Sequence, residues 1–418
     1  MPKRLLKIVI VIAFMVAMNR AIAAEKPLKV YILVGQSNMQ GHAKSSTLPY
    51  MAEDPMTKPL LAKFVDRDGK PLIHKNVFIS AISGAKAGPT KKEGSLTVGY
   101  GGETSDPDKF GPELGFGVTM GEHVKEPILI IKTSWGGKSL SIDFRPPSAG
   151  PYDFSDGPGK EYAKERQEDI LKASGRYYRL MMEHVKAVLA DPSKVYPGYD
   201  KAKGYEIAGF VWFQGWNDMV NSHRYPNRTK PSGYDRYSKL LCHFIRDVRK
   251  DLDAPKMPFV IGVMGVGGIA TAETEAKVSK RYRGIKPGFQ AAMAAPAAMV
   301  EFKGNVFAVK TGEFWPTKLA EIDGKQGKIK AQVKNEIKEM EKGVDQTKMS
   351  KNEKRAFRRK TSEFSKKRQE ELAAKKCTEE DKRILNLAKS NQGFHYFGCG
   401  KTIIQIGEAF AKALTQGE

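Results

Sequence analysis

Two segments of the chain carry residues that could act as a nucleophile and a general base. Ser37 lies in Gly35–Met39 (GQSNM), directly after an apolar run over 28–34. A glycine there permits a sharp turn that exposes the serine hydroxyl at a sheet edge, where a nucleophile is useful. His395 lies between glycines and aromatic residues near the end of the chain. A neutral imidazole can accept a proton near pH 7. A common strand–glycine–serine turn and a structural histidine are the simpler alternatives.

Two further segments could stabilise negative charge on an oxygen atom. Gly136 and Gly137 follow an apolar run over 127–133, and paired glycines let backbone N–H groups approach a ligand closely. Asn217 follows a run over 207–213, and its amide can donate a hydrogen bond without competing as a base. An ordinary glycine turn and an Asn/Asp helix cap are the alternatives. Both segments are therefore candidates for an oxyanion hole.

Strands and helices that alternate along the chain must position these residues. Short apolar runs predict buried strands over 28–34, 76–82, 127–133, 207–213, 258–263 and 305–310. Helical periodicity is found over 116–123, 175–189, 234–252, 289–295 and 402–414. This alternation predicts an α/β fold with a mostly parallel sheet covered on both faces. Active groups in such folds lie at the carboxyl ends of the strands, which is where Ser37, the Gly136–Gly137 pair and Asn217 fall.

Two stretches interrupt the alternation. Residues 137–159 are rich in Gly, Pro, Ser and Asp and predict a long surface loop. Residues 325–389 contain 21 Lys+Arg and 11 Asp+Glu, a net charge of +10. Their pattern predicts an inserted helical hairpin with its break near Gly343. This hairpin could be a solvated charged element or a contact for an acidic polymer.

Composition limits the classes of function. The chain has 418 residues, 40% of them hydrophobic, and a net charge of +23 that would attract nucleic acid, acidic glycans or anionic membranes. Three cysteines (Cys242, Cys377 and Cys399) are too few for a disulfide-built scaffold or a cysteine-rich zinc module. The sequence has no metal-ligand spacing and no phosphate-binding loop, so we predict neither a metal nor a nucleotide cofactor.

The first 24 residues are predicted to be a signal peptide. Lys3, Arg4 and Lys7 precede an apolar run over 8–18, and Ala21 and Ala23 have the spacing that a signal peptidase reads. An uncleaved anchor helix is the alternative. The expected localisation is secreted or periplasmic, without a stable membrane anchor, and the expected partner becomes an extracellular glycan and not nucleic acid.

Taken in order, the four motifs resemble the SGNH/GDSL hydrolase superfamily, and most of all its sialate O-acetylesterase-like branch, related to carbohydrate esterase family 6. The similarity rests on Gly35–Met39, Trp135-Gly136-Gly137, Trp212-Phe213-Gln214-Gly215 and His395. It extends from about residue 28 to the end of the chain, apart from the basic insertion. The resemblance implies a flavodoxin-like three-layer α/β/α sandwich over 25–418 that needs no cofactor.

The resemblance also implies roles for individual residues. Ser37 would be the nucleophile and His395 the base. The backbone N–H groups of Ser37 and Gly137, with the side chain of Asn217, would form the oxyanion hole. Gln36 and Gln214 would contact the substrate or support the site.

The sequence departs from the family pattern at two positions. One is the acid that orients the histidine, and the other bears on specificity for sialate. The family has an acid three residues before the histidine, and Gln392 occupies that position here. A glutamine carbonyl can orient an imidazole but cannot offset its positive charge. A Ser–His dyad, or support from Asp218 or Glu113, are the open alternatives. Trp216 stands where the sialate-esterase block has an acid, which argues against sialate specificity. The tetrad 215–218 is instead similar to the Gly-x-Asn-Asp block of the wider superfamily.

The predicted function is a secreted carbohydrate O-acetylesterase that works through an acetyl-Ser37 intermediate. Its substrate would be an acetylated carbohydrate or polysaccharide, with acidic polymers among the candidates. A non-catalytic glycan-binding protein on the same scaffold is the alternative, since Gln392 breaks the catalytic pattern. A polyanion- or surface-attachment protein acting through 325–389 is a third.

Overall fold

The computed structural model describes residues 26–84, 90–103, 106–154, 164–277, 282, 284–345 and 347–416. The predicted signal peptide over 1–24 lies outside these residues.

A seven-stranded sheet forms the centre of the described chain. The strands are β1 (Leu28–Gly35), β2 (Ala43–Lys44), β3 (His74–Ser83), β4 (Thr90–Leu96), β5 (Lys109–Phe110), β6 (Ile128–Ser134), β7 (Tyr205–Phe213), β8 (Phe259–Val263) and β9 (Val306–Lys310). The central sheet has the order β4-β3-β6-β1-β7-β8-β9, and β2 pairs with β5 separately. All neighbours in the central sheet are parallel except β3 and β4.

The six strands predicted from apolar runs are confirmed, each to within two residues at either end. The sequence analysis missed β4, whose residues are TKKEGSL. This strand is the antiparallel edge of the sheet and is only partly buried, so it does not need a continuous apolar run.

Helices connect the strands. They are α1 (Ser37–Gln40), α2 (Pro112–Val124), α3 (Lys164–Ala173), α4 (Arg176–Ala190), α5 (Trp216–Met219), α6 (Asp235–Asp251), α7 (Ala272–Lys277), α8 (Lys286–Ala294), α9 (Thr317–Glu341), α10 (Lys351–Lys376), α11 (Glu379–Ala388) and α12 (Gly400–Thr415). The five predicted helices correspond to α2, α4, α6, α8 and α12. The first of these starts four residues earlier than predicted, with Pro112 in its first turn, where a missing N–H costs nothing.

Both faces of the sheet are covered, which confirms the three-layer sandwich. Val30, Ile32 and Val34 of β1 belong to a buried cluster that includes residues of α4 and α6. Tyr31 and Leu33 belong to a second cluster that includes residues of α2 and α12. Alternate residues of a strand point to opposite faces, so the uninterrupted apolar run of β1 is what burial on two sides requires.

The order of the strands determines where a crevice opens. From β1 the chain moves to β3 and returns to β6 on one side, then crosses to β7, β8 and β9 on the other. Beside β1 the direction of winding therefore changes, and ligands of such sheets bind at the carboxyl ends of the strands there. Ser37, Gly136 and Asn217 follow the carboxyl ends of β1, β6 and β7.

The loop that follows β6 is less superficial than predicted. Leu140 and Phe144 are fully buried in the core cluster that contains β1, so the prediction of a surface loop over 137–159 is wrong for this part. The buried Arg145 donates hydrogen bonds to the carbonyls of Ala149, Gly150 and Pro151. The loop is therefore a packed wall beside the carboxyl edge of the sheet, and residues 155–159 lie outside the described part.

The basic insertion contains three helices, where a hairpin of two was predicted. Helix α9 starts at Thr317, and Gly343 lies in its turn to α10, as predicted. The third helix, α11, packs through Ile384 and Ala388 against a cluster that includes Phe397. The base of the insertion is thus joined to the segment that carries His395.

The described residues include no helix that is both long enough and apolar enough to span a membrane. Cys242, Cys377 and Cys399 are buried free thiols.

Candidate active site

The turn that presents Ser37 depends on close packing between β1 and β7. A Cβ at Gly35 would lie 2.1 Å from the carbonyl oxygen of Phe213, so only glycine fits. The Gln36 N–H donates to that same carbonyl at 3.3 Å. Ser37 then opens the short helix α1 and is 9% exposed. The first N–H groups of a helix have no intrahelical acceptor, so the Ser37 N–H is available to a ligand.

The buried Lys132 holds the C-terminal end of α1. The Lys132 Nζ donates to the Gln40 carbonyl at 3.0 Å, to the Tyr100 carbonyl at 2.9 Å and to the Glu113 carboxylate at 2.6 Å. Lys132 and Glu113 are both almost fully buried. Burial lowers the pKa of Lys132, while the Glu113 carboxylate opposes that change. Since all three protons of an ammonium group have acceptors here, Lys132 fixes the end of the helix that begins with Ser37.

A strained backbone presents His395. Tyr396 and Phe397 have φ of 51° and 61°, in the left-handed region that side chains other than glycine rarely adopt. Such a residue costs about 1–2 kcal/mol. The Tyr396 hydroxyl compensates by accepting from the Gly265 N–H at 2.8 Å and by pairing with Thr311 Oγ1 at 2.6 Å. The aromatic side chain of Tyr396 is fully buried, so this loop is anchored to the core.

Asn391 orients the imidazole of His395. Its Oδ1 lies 2.9 Å from His395 Nδ1 and also accepts the Gln392 N–H at 2.8 Å. An amide oxygen only accepts hydrogen bonds, so Nδ1 carries the proton in the neutral ring and Nε2 keeps its lone pair. Burial, and then the charge of Lys109, lowers the pKa of His395 to about 4. The imidazole is therefore neutral at pH 7.

A second histidine lies against the first. The rings of His42 and His395 are stacked with their centroids 4.0 Å apart. Burial, and then the facing His395, lowers the pKa of His42 to about 3. His42 follows α1 closely, so this contact joins the segment of Ser37 to the segment of His395. In the described part of the chain, the His395 ring is hydrogen-bonded to Asn391, and no hydrogen bond joins it to Ser37 Oγ. Such catalytic contacts are often long before substrate binds.

The proposed oxyanion residues lie at neighbouring strand ends. A Cβ at Gly136 would lie 3.9 Å from Ser37 Cβ, which brings the Gly136–Gly137 peptide close to the serine. The φ of Gly137 is +76°, so glycine is needed there. The Gln36 side chain accepts the backbone N–H groups of Gly215 at 3.0 Å and Asn217 at 3.4 Å. Gln36 is thus a brace between β1 and the turn that carries Asn217.

Gln214 and Asp218 are used within the protein. The Asp218 carboxylate accepts from the backbone N–H groups of Leu140 and Ser141, from Gln214 Nε2 and from the Tyr225 hydroxyl, at 2.7–3.1 Å. Gln214 Nε2 also donates to the Lys138 carbonyl at 3.0 Å. Both side chains are buried. They fasten the loop after β6 to the end of β7, and neither contacts His395.

The residue that orients His395 in the structure is not one of those that the sequence analysis considered. Glu113 pairs with Lys132, and Asp218 holds the loop after β6. The side chain of Gln392 is exposed, and the only hydrogen bond between Gln392 and His395 is the one its backbone carbonyl accepts from the His395 N–H. Asn391, four residues before the histidine, takes the place of the acid that the family has three residues before it. The sequence feature that could have identified this partner was the asparagine next to Gln392. No sequence feature identified Lys132, because a single lysine within an apolar strand belongs to no recognisable local motif.

In the described residues, no group of three or more His, Cys, Asp or Glu side chains could hold a metal ion. A neutral imidazole with a fixed tautomer, together with a serine at the N-terminus of a short helix, suits acyl transfer from an ester.

Comparison with known proteins agrees with this chemistry. Residues 27–297 match the family described as carbohydrate esterase, sialic acid-specific acetylesterase. The chain belongs to this family. The matched region contains Ser37, Gly137 and Asn217, while His395 lies beyond it. No curated protein matches the chain.

Two solved structures are similar over part of the chain. A protein from Arabidopsis thaliana is 16% identical, with a TM-score of 0.36, and the match covers 68% of this chain and 86% of that one. A carbohydrate acetylesterase from Xanthomonas citri is 13% identical, with a TM-score of 0.34, and the match covers 67% of this chain and 49% of that one.

Proposed function

We propose that this member of the carbohydrate esterase family removes O-acetyl groups from a carbohydrate, with Ser37 as the nucleophile and His395 as the base. The observation that carries the proposal is the hydrogen bond of 2.9 Å between Asn391 Oδ1 and His395 Nδ1. It leaves the Nε2 lone pair of a neutral imidazole free to accept the serine proton. Asn391 acts as the orienting group without supplying a charge.

The reaction has two steps. The Ser37 oxygen attacks the carbonyl carbon of the acetyl ester while His395 Nε2 takes the hydroxyl proton. The bond to the sugar oxygen then breaks, and His395 returns the proton to that oxygen, which leaves an acetyl-serine. In the second step a water molecule gives its proton to Nε2 and attacks the acetyl group. The acetyl–serine bond breaks, acetate leaves, and Ser37 regains its proton.

The negative charge that develops on the carbonyl oxygen would be stabilised by three donors. These are the backbone N–H groups of Ser37 and Gly137 and the side-chain amide of Asn217. Each donor of this kind contributes roughly 3 kcal/mol to transition-state stabilisation. Two observations favour these donors. A Cβ at Gly136 would lie 3.9 Å from Ser37 Cβ, and the Gln36 side chain accepts a hydrogen bond from the Asn217 N–H.

The proposed setting is outside the cytoplasm, since the first 24 residues have the pattern of a signal peptide. The proposed substrates are acetylated carbohydrates and polysaccharides. Acidic polymers are among them because residues 325–389 carry a net charge of +10.

The test is Ser37→Ala, assayed by acetate release from acetylated xylan and from an O-acetylated sialoside. We expect a loss of at least about 10³-fold in kcat, since removal of a serine nucleophile has effects of that order or larger. Ser83→Ala is a matched control, because Ser83 ends β3 at the same edge of the sheet, two strands from β1. Retention of wild-type activity by Ser37→Ala would refute the proposal.

A serine-directed organophosphate separates the esterase from a non-catalytic glycan-binding protein. We expect one covalent adduct, mapped to Ser37 by mass spectrometry and lost in Ser37→Ala. A folded wild-type protein that binds glycans but forms no adduct would favour the binding protein.

A further inference from the structure

Two aromatic side chains from distant parts of the sequence form an apolar surface beside His395. Trp216 opens α5 after the end of β7, and Phe394 immediately precedes His395. Their ring centroids lie 6.0 Å apart with planes inclined by 31°, and we call this pair the shelf. Trp216 also lies against Tyr282, with ring centroids 5.9 Å apart. The Phe394 ring is 4.4 Å from the His395 ring. The shelf consists of Trp216 and Phe394 and leads directly to the catalytic histidine.

The exposure of Phe394 is unusual for an aromatic side chain of this protein. Phe394 is 42% exposed, while most other phenylalanine and tryptophan rings in the described residues are buried or nearly so. Among the large exposed hydrophobic side chains of the described residues, only Phe394 and Tyr205 are aromatic. Tyr205 starts β7, at the opposite edge of the sheet from the candidate site. Trp216 is partly buried and Phe394 is exposed, so the pair offers aromatic surface beside the candidate site that a ligand can cover.

We propose that the shelf of Trp216 and Phe394 binds the apolar face of a pyranose ring and so holds the acetylated sugar beside Ser37. The faces of aromatic rings carry negative charge density and attract the positive edge formed by C–H groups. A sugar ring offers C–H groups on its face and hydroxyl or ester groups at its rim. When the face lies on Trp216 and Phe394, a rim ester is directed towards His395. This inference rests on the proposed esterase function and adds how the sugar is recognised.

The position of Trp216 also explains its departure from the sialate-esterase block. An acid there would place a charge one residue from Asn217, whereas the indole supplies an apolar surface at the same point. The shelf itself carries no charge, so it selects for the sugar ring and not for an acidic substituent.

A binding experiment without turnover tests the shelf directly. The full chain with Ser37→Ala is titrated with xylohexaose by calorimetry, alone and combined with Trp216→Ala or Phe394→Ala. We expect each shelf variant to weaken the affinity about 10-fold, the effect of losing one stacked aromatic ring. Phe394→Tyr should retain the affinity, and Tyr205→Ala, at the other edge of the sheet, is the control that should leave it unchanged.

A kinetic experiment gives the second readout. With Ser37 intact, kcat and KM are measured by acetate release for a triacetylated methyl xyloside and for ethyl acetate. We expect the shelf variants to raise KM for the xyloside about 10-fold more than KM for ethyl acetate, since uniform binding appears in KM.

Equal affinity for xylohexaose in all variants, or no binding by the Ser37→Ala protein, would refute the proposal that the shelf binds a sugar ring. These outcomes differ from failure of the proposed function, in which Ser37→Ala would still hydrolyse the xyloside while the binding results stood.

Discussion

Replacing Asn391 by aspartate tests the orientation of His395, the proposed catalytic base. Asn391 Oδ1 lies 2.9 Å from His395 Nδ1, and the pKa of His395 is lowered to about 4 by burial and by Lys109. Only the neutral imidazole can accept the Ser37 proton, so we expect kcat/KM of the wild-type enzyme to stay level above about pH 5 and to fall as the pH drops through about 4.

Asn391→Asp puts a negative charge of the same shape against the ring. An opposite charge within about 4–6 Å raises the pKa of a histidine by about 1–3 units. Each unit corresponds to about 1.4 kcal/mol of preference for the protonated form. The acidic limb of kcat/KM should therefore move from about 4 to between about 5 and 7. The variant gains stabilisation of the imidazolium and loses activity in mild acid.

The assay is acetate release from a soluble acetylated sugar between pH 3 and 8, with circular dichroism at each pH to show that the protein is folded. Gln392→Glu is the matched control, because it places the same charge at the family position on an exposed side chain. Solvent screens that charge, so its shift should be the smaller. An unchanged acidic limb in Asn391→Asp, or a larger shift in Gln392→Glu, would refute the assigned role of Asn391.

Two further predictions concern the groups that support the site. Lys132→Met or Glu113→Gln alone leaves a buried charge without its partner, so each should lower the free energy of unfolding by about 3–5 kcal/mol in urea titrations at pH 7. The double variant Lys132→Met with Glu113→Gln should lose less than the sum of the two single changes, and additivity would contradict a coupled pair. The pKa of His42, lowered to about 3, means that unfolded chains bind more protons below pH 6.5, so stability is full above that pH and falls as the pH decreases. His42→Phe should reduce the slope of unfolding free energy between pH 6 and 4 by about 1.4 kcal/mol per pH unit, and a slope parallel to that of the wild type, or the same change in the exposed His123→Phe control, would argue against it.

Much of the fold could be predicted from local pattern. Strands buried on both faces are continuous apolar runs, so β1, β6 and β7 were visible in the sequence. The edge strand β4 was not, because one partner and partial exposure impose no such pattern. The extra helix α11 was missed for a related reason, since its charged residues resemble those of the hairpin while Ile384 and Ala388 are buried by distant segments.

The sequence by itself determined the candidate nucleophile, the candidate base and the glycines at the turns, because each depends on a residue type next to a strand end. Which partner orients His395 was decided by the tertiary structure. Backbone strain at Tyr396 and Phe397 is balanced by burial and by hydrogen bonds to β-strand ends far away in the chain. That balance brings Asn391 to the ring and leaves Gln392 in solvent. The buried Lys132 and the shelf of Trp216 and Phe394 likewise join residues distant in sequence, and only the folded chain brings such groups into contact.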